Sequence, residues 1–369
     1  MHATSEPLIA VVLPPNEGFG PGQSGAIGLI AHRLAGMPGF RTEVFCGPQR
    51  GTAYPGIVRR VVTPAGWLPG TVNLRYAARL VLPLWRMRPA VVEVHNRVGI
   101  ALALAVLLRP TPGLLVLHND PQAMRHARSP GERRLLISRL AGVITVSGYI
   151  QSRLLQGVAD PARPPVVIPN ALDLATIPAS PGRENLVLFV GRTVAEKGAD
   201  LFVAACAAAL PRMPGWRAEM IGADRSRLDS PDTPFVAGLR DAARTAGVTL
   251  TGYRDHPQVL AAMSRAALVV VPSRWPEPFG LVALEAMACG AALICTRQGG
   301  LPEVGGDAAC YVEAEDANGL AEAMVSLATD DARRAALAQA GLVRAAQFDL
   351  RETGRRWADM RHAVIAAVR

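Results

Sequence analysis

The chain has 369 residues; half are hydrophobic, 19% are charged, and 39 Lys and Arg face 30 Asp and Glu, a formal net charge of +9. That length and apolar content suit two α/β domains with buried sheets, and no repeat or low-complexity segment interrupts them. The five cysteines (46, 206, 289, 295 and 310) are odd in number without a C-x-x-C pair, which argues against a disulfide framework and for free thiols in a reducing cytosol.

Apolar runs at 8–13, 42–46, 90–94, 113–117, 142–146, 186–190, 217–221, 267–271 and 291–295 alternate with helical stretches. Parallel strands covered on both faces read as such continuous runs. A Pro/Gly-rich break from Pro161 to Gly182 favours two doubly wound domains over a barrel. The first run has no basic flank and is cut by Pro14-Pro15, so it reads as a strand rather than a signal peptide. The longest apolar run, Val98 to Leu108, is too short to span a bilayer. A cytoplasmic protein is expected.

Gly20-Pro-Gly22-Gln-Ser-Gly25 follows the first strand and precedes a helical stretch, with Glu43 about twenty residues on. This fits the dinucleotide fingerprint of an NAD-linked oxidoreductase. Two features count against it: Pro14 to Phe19 separate the strand from the first glycine, and Glu43 lies inside its strand rather than at the end. Further on, His95-Asn96-Arg97 and His118-Asn119-Asp120 close adjacent strand runs. Paired His-Asn dipeptides at strand ends suggest more than capping.

Charge is uneven. Residues 1–169 hold 18 arginines and 7 acids, a balance of +11, and the remainder holds 21 basic residues and 23 acids, a balance of −2. Two stretches interleave arginine with apolar residues, Arg75 to Arg88 around Trp85 and Arg125 to Arg134. Both read as interfacial helices, making an anionic membrane surface an expected partner. Without RNP, zinc-finger or helix-turn-helix patterns, nucleic acid is not expected.

In the second half, the run ending at Val190 leads into Gly191-Arg192-Thr-Val-Ala-Glu-Lys197-Gly198 and then a helix; Lys197 is the only lysine. Two cations in a strand-to-helix turn suit a diphosphate. The run ending at Val271 leads into Pro272-Ser-Arg-Trp-Pro-Glu277-Pro-Phe279-Gly280-Leu281 and on to Glu285. Gly280 and Leu281 would open a helix with its free N–H groups toward a ligand. Glu285, among apolar neighbours, would be buried and need a partner, which a pair of ribose hydroxyls supplies. The histidines lack H-E-x-x-H spacing and there is no Asp-x-Asp, so no metal site is expected. A Walker loop is excluded because glycine follows the lysine.

Together Gly-Arg-x4-Lys-Gly, Glu277-x7-Glu285, Gly299-Gly300-Leu-Pro-Glu303 and Ile168-Pro-Asn170-Ala-Leu-Asp173 resemble the family 4 retaining glycosyltransferases of the GT-B fold, including those of lipopolysaccharide core and exopolysaccharide synthesis. The resemblance is weaker over the first half, where Gly25-Ala26 stands in place of a Gly-Gly pair. It implies two Rossmann-like domains facing across a cleft. Residues 1–168, with a returning helix at 350–369, would take the acceptor, and 169–349 the nucleotide sugar. Arg192, Lys197, Glu277 and His118 would be catalytic. Gly25, Gly191, Phe279, Gly280, Leu281 and Glu285 would bind the donor. His95, Asn96, Asn119 and Asp120 would line the acceptor side.

The activity so implied moves a sugar, with retention and without metal, from a nucleoside-diphosphate sugar to a glycan or lipid-linked acceptor. No cofactor is expected; a pyridoxal-phosphate phosphorylase would need Lys197, already assigned to the diphosphate. Alternatives are a nucleotide-sugar epimerase, a non-catalytic sugar-binding subunit and the NAD-linked oxidoreductase.

Overall fold

A computed structural model describes residues 6–49, 51–161, 163–224 and 233–367. The chain divides into two compact units, residues 1–171 with 350–369, and 172–349.

In the first unit β1 (Leu8–Val12), α1 (Ala26–Ala35), β2 (Arg41–Cys46), β3 (Val58–Val61), α2 (Val72–Met87) and β4 (Val91–His95) are followed by α3 (Val98–Leu107), β5 (Gly113–Leu117), α4 (Pro130–Arg139), β6 (Gly142–Thr145), α5 (Gly148–Leu155) and β7 (Val166–Val167). The strands form one parallel sheet in the order β3-β2-β1-β4-β5-β6-β7. The order reverses direction between β1 and β4. Helices α2 to α5 pack in series, and the right-handed rule for parallel crossovers assigns them to one face of that sheet.

The second unit runs β8 (Glu184–Val190), α6 (Ala199–Ala209), β9 (Arg217–Ile221), α7 (Pro234–Thr245), β10 (Val248–Gly252), α8 (His256–Arg265) and β11 (Ala266–Val271). It continues with α9 (Leu281–Ala288), β12 (Ala292–Thr296), α10 (Leu301–Gly305), β13 (Ala309–Val312), α11 (Ala317–Thr329) and α12 (Asp331–Ala346). Its sheet is parallel in the order β10-β9-β8-β11-β12-β13, with the reversal between β8 and β11. The central strands are buried on both faces, their Val, Leu, Ile and Phe side chains forming the core with the apolar sides of α6 and α11. Two parallel-sheet Rossmann-like units are therefore the architecture of the chain.

The last helix, α13 (Leu350–Ala366), returns to the first unit, where Trp357 and Val364 are buried. Its Arg361 donates two hydrogen bonds, 2.7 and 3.0 Å, to the Glu93 carboxylate in β4, and both side chains are almost wholly enclosed. The guanidinium also lies over the rings of Phe40 and Trp357. A carboxylate in the middle of a buried strand is tolerable only with such a fork-on partner.

One sequence expectation is corrected here. Arg133, read as part of an exposed arginine stretch, is 2% exposed. Its guanidinium donates to the backbone carbonyls of Ala127, Arg128, Leu154 and Gln156, tying the start of α4 to the end of α5. Five fixed donors suit a cluster of carbonyls that α5 and the turn before α4 leave without intrahelical partners.

Candidate active site

In open α/β sheets ligands bind beyond the carboxyl ends of strands where the strand order reverses. In the second unit those ends are the loops after β8 and β11, and both charged motifs lie there. The loop after β8 crosses to its neighbour through Gly191 N–H to Ile221 O and Thr193 N–H to Ala223 O. It then makes a short 3-10 turn at Ala195–Lys197 and ends at Gly198 in the left-handed region, φ +70°. A Cβ at Gly198 would stand 2.0 Å from the carbonyl oxygen of Pro272, so the close approach of the second motif requires glycine.

The two motifs, some eighty residues apart in sequence, are joined through backbone. Glu196 O accepts from the N–H groups of Arg274 and Trp275, both at 3.0 Å. Arg274 donates to Ala195 O and pairs with Asp200 and Glu315. Lys197 Nζ donates to Glu277 Oε1 at 2.6 Å, and Ser273 Oγ donates to the same oxygen at 2.5 Å. The Ser273 carbonyl accepts from Thr296 Oγ1 at the end of β12. Gly300 N–H donates to Glu277 O, which brings Gly299-Gly300 onto the same segment.

Glu277 is thus buried, and it is no helix cap. Lys197 is ion-paired to it while keeping a quarter of its side chain in solvent, and Arg192 is exposed. Gly280 sits at φ +106° as the residue before α9 and offers no side-chain cap, so the first N–H groups of α9 keep their donor capacity. Leu281 opens the helix, half-buried. Phe279 is buried with its ring edge-on to Phe348, so its backbone is what it can present to a ligand. Glu285, a turn further along α9, is buried, and its Oε1 lies 2.8 Å from His256 Nε2.

In the first unit the reversal falls between β1 and β4. His95 ends β4 and His118 follows β5; the rings stack, with His95 Nδ1 2.9 Å from His118 Nε2. Burial pushes His95 down to about 3, the nearby Arg361 adding to it. Burial also holds His118 well below the usual imidazole range, helped by His95. Asn96 takes a positive φ of 57°, a conformation asparagine tolerates, and its Oδ1 accepts from the N–H groups of His118 and Asn119. The two His-Asn pairs are one buried network. Asp120 is set apart from it: it caps the turn at Pro121–Ala123 and pairs with Arg153 at 2.8 Å.

The glycine-rich loop holds a residue that the sequence reading passed over. Glu17 Oε1 accepts from Gly28 N–H at the start of α1, and burial raises its pKa against the pull of the Gly28 and Gly25 N–H groups and Arg97. A Cβ on Gly25 would lie 2.8 Å from that oxygen. Glu43, the acid that a dinucleotide fingerprint would place on a ribose, is instead held by Arg60 at 2.5 Å. His256, Ser273 and Arg274 were also unremarked. Ser273 and Arg274 lie inside the quoted motif, whereas His256 carries no motif of its own.

Two parallel-sheet Rossmann-like units with these strand orders have the architecture of the GT-B class. The family model for glycosyl transferases group 1 matches residues 184–330, and that for glycosyltransferase family 4 matches residues 22–176. The chain is a family 4 glycosyltransferase of the GT-B fold. It is 29% identical over 284 residues to the lipopolysaccharide core biosynthesis mannosyltransferase LpsB of Rhizobium meliloti, covering 72% of this chain and 78% of that protein. A D-inositol 3-phosphate glycosyltransferase of Corynebacterium aurimucosum is 34% identical over 176 residues, 46% of this chain and 40% of that protein. The chain therefore spans from two fifths to about four fifths of the length of these curated relatives. The Anabaena protein Alr3699/HepE, solved with UDP and glucose, superposes with a TM-score of 0.75 at 20% identity over 95% of this chain and 98% of its own.

Proposed function

We propose that this protein transfers a sugar from a nucleoside-diphosphate sugar to a glycan or lipid-linked acceptor, with retention of configuration and without a metal. The observation that carries the reading is the junction of the loops after β8 and β11, where Lys197 pairs with Glu277 and Glu196 O accepts from Arg274 and Trp275 N–H, just ahead of α9. Glu285 accepts the ribose hydroxyls, and Arg192 and Lys197 neutralise the departing diphosphate together with the N-terminus of α9. Glu277, with the backbone of Phe279, Gly280 and Leu281, orients the sugar, and Gly191 and Gly25 allow close approach of the donor. The first unit takes the acceptor, with His95, Asn96, Asn119 and Asp120 on that side and the neutral His118 toward the sugar. Retention follows the family, with a donor phosphate oxygen receiving the acceptor proton. The solved UDP complex of HepE supports a nucleotide-sugar donor, and the likeness to LpsB supports a role in cell-surface polysaccharide or lipopolysaccharide synthesis. Incubated with UDP-, GDP- and ADP-sugars in excess EDTA, the protein should release one nucleoside diphosphate at an undiminished rate; activity abolished by EDTA and restored by a divalent ion would overturn the metal-free mechanism.

The lipid-linked acceptor implies a peripheral site on the inner face of the plasma membrane. No described helix is long and apolar enough to cross a membrane. Support comes from the α2 to α5 face of the first unit. Trp67, 79% exposed, precedes α2; Leu82 and Trp85 project from it, while Tyr76, Leu80 and Leu84 are buried. Val106, Leu107 and Leu135 are exposed on the neighbouring α3 and α4. Arg79, Arg86, Arg88 and Arg134 are exposed among them, and no acid lies between Glu43 and Glu93 where seven arginines do. Each arginine near an anionic surface contributes about 1 kcal/mol, screened by salt. The protein should sediment with phosphatidylglycerol vesicles at low salt and be released at high salt. Replacing Arg79, Arg86 and Arg88 with glutamate should abolish sedimentation and leave donor hydrolysis intact. Wild-type protein remaining in the supernatant at low salt would make a soluble acceptor the better reading.

A further inference from the structure

We infer that His256 is a positioning residue of the donor site, which holds the Glu285 carboxylate in the orientation that receives the ribose. The inference rests on the proposed role of Glu285. His256 is the first residue of α8 and Glu285 the fifth of α9, and the two helices pack against each other. Both ends of the imidazole's placement are fixed. Asp255 caps α8 by accepting from Gln258 N–H, and the Gln258 side chain reaches back to Asp255 N–H, a reciprocal capping box that sets the backbone of His256. At the far end Nε2 lies 2.8 Å from Glu285 Oε1. One turn beyond Glu285, Cys289 Sγ donates to Leu260 O of α8, a second bond between the two helices beside the carboxylate.

The placement breaks a local rule. The first turn of a helix favours acids, and a basic side chain there opposes the dipole. Such exceptions concentrate where function compensates them. Glu285 is the compensation: a carboxylate only 4% exposed must be satisfied inside the protein, and the imidazole Nε2 supplies a donor to one of its oxygens. An arginine at that place would form a closed pair and compete with the ligand; a histidine, its ring one-quarter exposed, fixes one oxygen.

The test separates orientation from folding. Binding of UDP, GDP and ADP is measured by calorimetry, followed by the 2′-deoxy form of whichever binds. His256→Ala should weaken the ribonucleotide about tenfold, the scale of one hydrogen bond to a charged group. It should also narrow the discrimination against the deoxynucleotide, raise the donor KM more than it lowers kcat, and leave the melting temperature within a few degrees. His256→Gln, which keeps a donor, should recover most of the affinity. Unchanged discrimination in His256→Ala, while Glu285→Ala loses it, would overturn the inference and leave the role of Glu285 standing. Discrimination unchanged in Glu285→Ala would remove that role and the inference with it.

Discussion

Lys197→Ala should lower the rate of sugar transfer by about two to three orders of magnitude, the effect of losing one preorganised charge from a developing anion. The structure adds a second consequence. Lys197 holds the same Glu277 oxygen as Ser273, so its removal also frees the carboxylate to turn within its pocket. Because part of the lysine remains in water, the cost to folding should be no more than about 1–2 kcal/mol. The pair should act as a unit, the double variant Lys197→Ala/Glu277→Ala losing little more activity than the worse single one. Steady-state kinetics with saturating donor decides this; a Lys197→Ala protein working at the wild-type rate would remove the lysine from the mechanism.

Arg361→Ala should be the most damaging single change for stability. It leaves Glu93 as an unpaired carboxylate inside β4, with a cavity between α13 and the sheet, at a cost of about 3–5 kcal/mol. Replacing both partners by apolar residues, Glu93→Leu with Arg361→Met, should recover much of that loss, because the penalty lies in the orphaned charge and not in the absence of a salt bridge. Urea unfolding measures both. An Arg361→Ala variant within 1 kcal/mol of wild type would mean that solvent reaches Glu93.

The sequence was most legible where side chains are buried on both faces. All nine apolar runs are strands of the two sheets, within two residues at each end. The four strands that the runs did not reveal are β3, β7, β10 and β13, the four edges of the two sheets. Edge strands meet solvent along one side, so in Val58-Arg-Arg-Val61 and Val248-Thr-Leu-Thr-Gly252 polar residues break up the continuous apolar run.

At the proposed site, spacing singled out two loops that the fold brings side by side, but not how their side chains pair. The partnership of Lys197 with Glu277 needs the crossing of two loops eighty residues apart, and that of His256 with Glu285 needs the packing of α8 on α9. Neither leaves a periodic trace in the chain. Arg133 shows the opposite failure, since an arginine read as solvated by its neighbours in sequence is enclosed because carbonyls from α5 converge on it.

The most direct measurement is thermal stability of the purified protein across nucleoside diphosphates, their sugars and NADH. The account predicts a raised melting temperature with one nucleoside diphosphate and its sugar, unchanged by EDTA, and much reduced in Lys197→Ala. A flat response to every nucleotide sugar, with saturable NADH binding that is lost on replacing Gly22, would contradict it.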